Sequence, residues 1–134
     1  MNFFKNRSSK KVKPNLDERY LDAISNTDWQ VLKRGDCFDP TMTNEAVVLG
    51  VAVWSHPDIE GLETLRRSSI LVKLRICVFS VDDLTFGGIA LFMPGIRPFS
   101  QTPIIAKYID GKLVQTLEGR AALDWMQGNP AAIG

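Results

Sequence analysis

Two stretches carry the strongest hydrophobic signal in the chain. Residues 47–54 read Val-Val-Leu-Gly-Val-Ala-Val-Trp without a polar break, which predicts a strand covered on both faces by other elements. Residues 70–81 predict a second strand, with Ile70, Val72, Leu74, Ile76 and Val78 alternating inward and Lys73 and Arg75 facing out. Between them, Pro57 to Arg67 predict a helix with Ile59, Leu62 and Leu65 on its buried face. Pro57 suits the first turn, where its missing N–H would be unpaired anyway. Asp58 and Glu60 at the start and Arg66 and Arg67 at the end complement the helix dipole.

Weaker patterns fill in the rest. Residues 15–26 predict a helix capped by Asn15, with Glu18 at its third position and Leu16, Tyr20, Ala23 and Ile24 on one face. Trp29 to Leu32 is a short strand, and residues 34–44 form a loop rich in turn residues. Asp82 and Asp83 end the second strong strand, and residues 84–93 hold a short helix weakened by Gly87 and Gly88. Pro103–Ile109 and Lys112–Leu117 flank Asp110-Gly111, a two-residue turn that tolerates positive φ, and so predict a hairpin. Gly119 opens a last helix, which Gly128, Asn129 and Pro130 end. The order β-α-β, loop, β-β-α predicts an α/β fold: a central mixed sheet flanked by helices, with a crossover helix joining two parallel strands and an antiparallel hairpin closing the sheet.

The chain of 134 residues suits one core, and its 45% apolar and 23% charged content is ordinary for a soluble domain. No apolar run approaches the roughly 18–20 residues that span a bilayer. The N-terminus lacks the apolar core of a secretory signal, which points to a cytoplasmic setting. Charge is placed unevenly. Residues 1–14 hold Lys5, Arg7, Lys10, Lys11 and Lys13 and no acid, leaving eleven basic and fifteen acidic side chains elsewhere, a net of −4. The expected division is a flexible basic arm at 1–14, a domain at 15–128 and a tail at 129–134. The arm reads equally as a solvated tail, an anchor to nucleic acid, or an anchor to acidic protein or an anionic lipid surface. Its Phe3 and Phe4 are suited to docking on the body, on a partner or on a membrane surface.

Chemistry-bearing residues are few. Cys37 and Cys77 lie forty positions apart and match no metal or redox spacing. Sequence leaves a disulfide between them open, although a cytosolic setting argues against it. Cys77 reads as a small buried hydrophobe in a strand. His56 is the only histidine, so no multi-histidine metal site exists, and no cofactor is implied. Ser55, His56 and Asp58 invite a triad reading, but adjacent residues at a helix start rarely reach the geometry in which histidine bridges the other two. Ser55 and Asp58 are better explained as satisfying free N–H groups at the helix start. Asp82, Asp83 and Asp110 are better explained as strand-end and turn residues than as cation ligands.

Taken together, these positions resemble the thioredoxin family over about residues 28–127. Its active site, Trp-Cys-Gly-Pro-Cys, sits between a buried strand and a helix; here the same place reads Trp54-Ser55-His56-Pro57-Asp58. Thr102-Pro103 matches the cis-proline that faces that site, and Gly111 and Gly119 match the glycines that follow at intervals of eight. Gly95-Ile96-Arg97 resembles the segment ahead of the cis-proline. The resemblance implies a thioredoxin-like fold, but three parts of the family's chemistry are changed. Exchange needs a thiolate and a second sulfur, and Ser55 and Asp58 stand in those places. Leu49 stands where the family carries a buried acid.

The expected protein is therefore a redox-inactive, thioredoxin-like binding or assembly subunit and not an enzyme. Its expected binding residues are Trp54, Ser55, His56, Pro57, Asp58, Arg97, Thr102 and Pro103, converging at one end of the sheet, with a second contact through the basic arm. Trp54 itself reads equally as a contact residue or as packed core. Two alternatives stand beside this reading. One is a divergent oxidoreductase or glutathione-dependent enzyme in which Ser55 orients a thiol of another molecule. The other is a nucleic-acid-associated factor led by the arm.

Overall fold

The computed structural model describes residues 15–25, 27–42, 44–67, 75–82 and 84–128. Among them are strands β1 (Gln30–Val31), β2 (Glu45–Val51), β3 (Arg75–Ser80), β4 (Ile104–Ile109) and β5 (Lys112–Glu118), and helices α1 (Leu16–Ile24), α2 (His56–Arg66), α3 (Phe86–Phe92) and α4 (Arg120–Met126). The strands form one sheet in the order β1-β3-β2-β4-β5. The apolar run at 47–54 becomes the centre of that sheet. β2 pairs parallel with β3 (Val48 opposite Cys77) and antiparallel with β4 (Leu49 opposite Ile105). β1 adds to the outer side of β3 in parallel, and β5 closes the other side as the second arm of the hairpin.

Helices cover both faces. On one, Tyr20 and Ala23 of α1, Ile59, Leu62 and Leu65 of α2, and Ala122, Trp125 and Met126 of α4 pack on Val47, Leu49, Val51, Ile76, Val78 and Ile105. On the other, Ile89 and Phe92 of α3, with Leu32, Phe38, Met93 and Ile96 from the loops, pack on Ala46, Val48, Cys77, Phe79, Ala106 and Tyr108. This double cover explains one departure from the alternating pattern expected of the second strand. Cys77 and Phe79 are as buried as Ile76 and Val78, because the face opposite the long helices also meets a layer. The expected beginning of that strand, residues 70–74, lies outside the described residues, as do the tail at 129–134 and Asp83.

Most of the local expectations hold. Asn15 and Glu18 form a reciprocal capping box, 2.8 and 3.0 Å, at the start of α1. Thr85 caps α3 through the Gly88 N–H, 3.1 Å, which helps a seven-residue helix containing two glycines to form. Asp110 and Gly111 both take positive φ in the hairpin turn. Gly50, in the middle of β2, leaves room for the Phe79 ring and Ile104: a Cβ there would stand 2.7 Å from Phe79 Cζ and 2.9 Å from Ile104 Cγ2.

The hairpin contains a feature the alternating pattern hides. Lys107 faces Gln115 and Tyr108 faces Leu113, so Val114 has no opposite residue. This β-bulge lets Leu113 pack in the α3 layer and Leu117 in the α2 layer, although residues four apart in a regular strand share a face.

Candidate functional site

The site begins where β2 ends. Ser55 N–H donates to the Ala52 carbonyl at 3.0 Å, closing a tight turn that turns Trp54 outward, 73% exposed. Trp54 is thus neither strand nor core. Ser55 is the N-cap of α2; its Oγ accepts from the Asp58 N–H at 3.5 Å and donates to Asp58 Oδ1 at 3.0 Å. Asp58 behaves differently from its expected role at the helix start. It is 1% exposed, and its Oδ2 accepts from the Ala52 N–H at 2.9 Å. The carboxyl ties the end of β2 to the first turn of α2 instead of satisfying helix N–H groups. Asp82 makes a matching tie from β3: its Oδ2 accepts from the Val53 N–H at 2.9 Å and from Ser80 Oγ at 2.8 Å. Behind it, burial first and the Asp82 charge second push the Tyr20 phenol up to about 12.

His56 does not bridge Ser55 and Asp58. Its Nδ1 lies 3.6 Å from Glu60 Oε1, one turn along α2 on the exposed face, so the three adjacent residues do not form a triad. Leu49 is fully buried in the layer beneath α2. Neither cysteine reaches the turn. Cys77 sits mid-strand in the opposite layer, and Cys37 is exposed in the loop whose next residue, Phe38, enters that same layer. Both thiols are free, so the disulfide left open by sequence is not formed. Burial pushes the Cys77 thiol up, with Arg75 partly offsetting it, which holds it in its unreactive protonated form.

Opposite Trp54, the Thr102-Pro103 peptide is cis. Pro103 is buried and its carbonyl accepts from the Gly119 N–H at 3.0 Å. Gly119 takes φ +62° and leaves its side-chain space to Gln101. Between the two loops runs an open groove of about 450 Å³, lined by Trp54, Ser55, Pro57, Asp58, Ser100, Gln101, Thr102, Gly119, Arg120 and Leu123. The structure therefore brings together Trp54, Ser55, Pro57, Asp58 and Thr102; Pro103 is buried next to Thr102 and does not line the groove. Arg97 is not among them. It lines a separate depression with Phe99, Leu113 and Gln115 beside β5. Sequence reasoning missed Gln101, Arg120 and Leu123; the two glycine spacings place α4 next to the cis-proline and could have pointed to them.

A second depression flanks Trp54 on its other side, lined by Asn15, Leu16, Asp17, Val53 and Asp82. The five basic residues, Lys5, Arg7, Lys10, Lys11 and Lys13, lie outside the described residues. Among the described residues, no group of three or more His, Cys, Asp and Glu side chains could hold a metal ion, and no helix is long and apolar enough to cross a membrane.

No family model and no curated protein matches the chain. Solved structures do. A chain from the structure describing the thiol resolving mechanism in yeast mitochondrial 1-Cys peroxiredoxin via glutathione/thioredoxin systems is 16% identical with a TM-score of 0.53, over 77% of this chain and 94% of that one. A point-mutant thioredoxin from Halobacterium salinarum is 18% identical (TM-score 0.49; 75% and 86% covered), and Malassezia sympodialis thioredoxin is 21% identical (TM-score 0.49; 75% and 91% covered). Identities this low speak to fold alone. With the sheet order, the crossover helix and the cis-proline hairpin already described, the chain has a thioredoxin-like fold.

Proposed function

We propose that this is a thioredoxin-fold protein that binds a polypeptide partner and does not carry out thiol–disulfide exchange. The observation that carries the reading is Trp54: an indole 73% exposed at the mouth of a groove whose nucleophile and resolving positions hold Ser55 and Asp58, hydrogen-bonded to each other. Exposing a large aromatic ring brings no stability to the fold, and Trp is the side chain most often found at the energetic centre of interfaces. Thr102 is partly exposed, and among the described residues no hydrogen bond engages its N–H or C=O, which suits an extended peptide laid along the groove. Exchange chemistry lacks both sulfurs at the groove, and the chain's two thiols lie elsewhere.

Two measurements test this. In an insulin-reduction assay the purified protein should not exceed background; turnover lost in Cys37→Ser or Cys77→Ser would refute the redox-inactive reading. A polypeptide partner isolated from native cells should bind Trp54→Ala about 30-fold more weakly, the loss of about 2 kcal/mol typical of an interface anchor. The fold should stay within about 0.5 kcal/mol of wild type, as for a surface substitution. Unchanged affinity with unchanged stability would place the partner elsewhere.

A further inference from the structure

A pocket of about 460 Å³ opens where α1, β1 and α3 approach one another. Its walls are apolar: Leu21 and Ile24 of α1, Val31 of β1, Leu84, and Phe92 of α3. Leu21 belongs to neither core layer and is 60% exposed. Apolar walls with a few polar groups among them are the usual make-up of a small-molecule site. Tyr20 supplies the first of those groups. It is only 9% exposed, yet among the described residues no hydrogen bond engages its hydroxyl, whereas buried hydroxyls normally have a partner. Burial and the Asp82 charge push the phenol up to about 12, so at neutral pH it is a protonated donor. Asp82 also lines the pocket. Both of its ties to other groups end on Oδ2, and among the described residues Oδ1 accepts from none. Lys33 is exposed on the same lining, and its ammonium forms no ion pair among the described residues.

From these groups and the walls between them, we propose that the pocket binds a small hydroxylated organic acid. Its apolar body lies among Leu21, Ile24, Val31 and Phe92, its carboxylate meets Lys33, and its hydroxyl is shared by Tyr20 and Asp82. A ligand hydroxyl can accept from the Tyr20 O–H and donate to Asp82 Oδ1 at once, which gives the buried phenol its partner. The charge on the lining selects an acid over an amine. Lys33 and Arg34 stand there against the single carboxylate of Asp82, and that carboxylate already accepts from Val53 N–H and Ser80 Oγ. A cationic ligand would meet the like charges of the two basic side chains. Transfer of the ligand's apolar body out of water adds to the binding.

The test uses the full chain and needs no protein partner, so it stands or falls apart from the binding role proposed at Trp54. The probe is para-hydroxyphenylacetate, titrated while the methyl resonances of Leu21, Ile24 and Leu84 are followed by NMR. The expected result is a saturable displacement of these resonances with a dissociation constant of about 1 mM, the scale of so small a ligand. Phenylacetate, which lacks the hydroxyl, should bind the native chain about fivefold more weakly, the worth of one hydrogen bond. Tyr20→Phe should weaken the hydroxylated probe by about the same factor and leave phenylacetate unchanged. Lys33→Gln, at an exposed position, should weaken both acids about threefold. Displacements that stay linear in probe concentration would overturn the proposal. So would equal affinity for the two acids in the native chain, a comparison that holds even if Tyr20→Phe does not fold. Binding of the neutral amide of the probe as tightly as the acid would overturn it too.

Discussion

Replacing Asp58 probes the join between strand and helix that positions Trp54. In Asp58→Ala the Ala52 N–H, on a residue fully buried, loses its 2.9 Å acceptor, and Ser55 Oγ loses its 3.0 Å acceptor. A buried donor left unpaired costs about 1–3 kcal/mol. Ser55 is half-buried and can turn to water, so its loss adds little. The expected destabilisation is therefore about 2–3 kcal/mol. Asp58→Asn makes a sharper comparison. Its amide oxygen still accepts from Ala52, and its NH₂ can donate to Ser55 Oγ once the hydroxyl rotates, so the loss should be about 1 kcal/mol or less. Urea unfolding followed by circular dichroism gives both values from midpoints at a common slope. The reasoning fails if Asp58→Ala is as stable as wild type. It also fails if Asn and Ala cost the same, since the acceptor for Ala52 would then be irrelevant.

Three further outcomes follow from the packing and charges. Gly50→Ala should destabilise by about 1–3 kcal/mol, because the new methyl overlaps Phe79 and Ile104 in a packed layer; stability equal to wild type in urea would show that the Phe79 ring moves aside freely. The Arg19–Glu63 pair, 2.6 Å apart and partly exposed, holds the Glu63 carboxyl below the usual range, chiefly through their hydrogen bond. A depressed carboxyl contributes stability above its unfolded pKa and loses it as pH falls through the folded one, so Glu63→Gln should cost about 0.5–1 kcal/mol at pH 7, shrinking as acid protonates Glu63; a cost that does not shrink with falling pH would point to packing instead. In the native protein a thiol reagent should modify one cysteine, Cys37, with Cys77 reacting only on unfolding; rapid reaction of both would contradict the burial of β3.

The fold was largely legible because its signals were local or periodic. The apolar run at 47–51, the helix starting beside Pro57 and the Asp110-Gly111 turn each specify an element from a few adjacent residues, and their order leaves few topologies. The candidate site was legible only in part. Trp54 and Thr102 were placed by the resemblance to the thioredoxin family, but the exposure of Trp54 depends on a turn that follows from the Ser55 N–H meeting the Ala52 carbonyl. Asp58 looked like a helix-start acid, and only the third dimension shows its carboxyl turned back toward β2. Arg97 was assigned to the groove by its place in a motif, whereas the structure sets it in a depression with Leu113 and Gln115 of β5. The depression at Asn15 brings together residues nearly forty positions from Trp54 and further from Asp82, a proximity with no periodic signature.

The bulge at Val114 bears on how the sheet meets other molecules. Both margins of a sheet are templates on which a foreign strand can add, and long flat margins are where association into larger β-structures starts. Here one margin, β1, is only two residues long. The other, β5, runs for seven residues, but its ladder is interrupted at Val114, where a bulge bends the strand and increases its local twist. An incoming straight strand would match the register on one side of Val114 and lose it on the other. The residue that divides Leu113 and Leu117 between two cores thus also guards the longer open edge against aggregation.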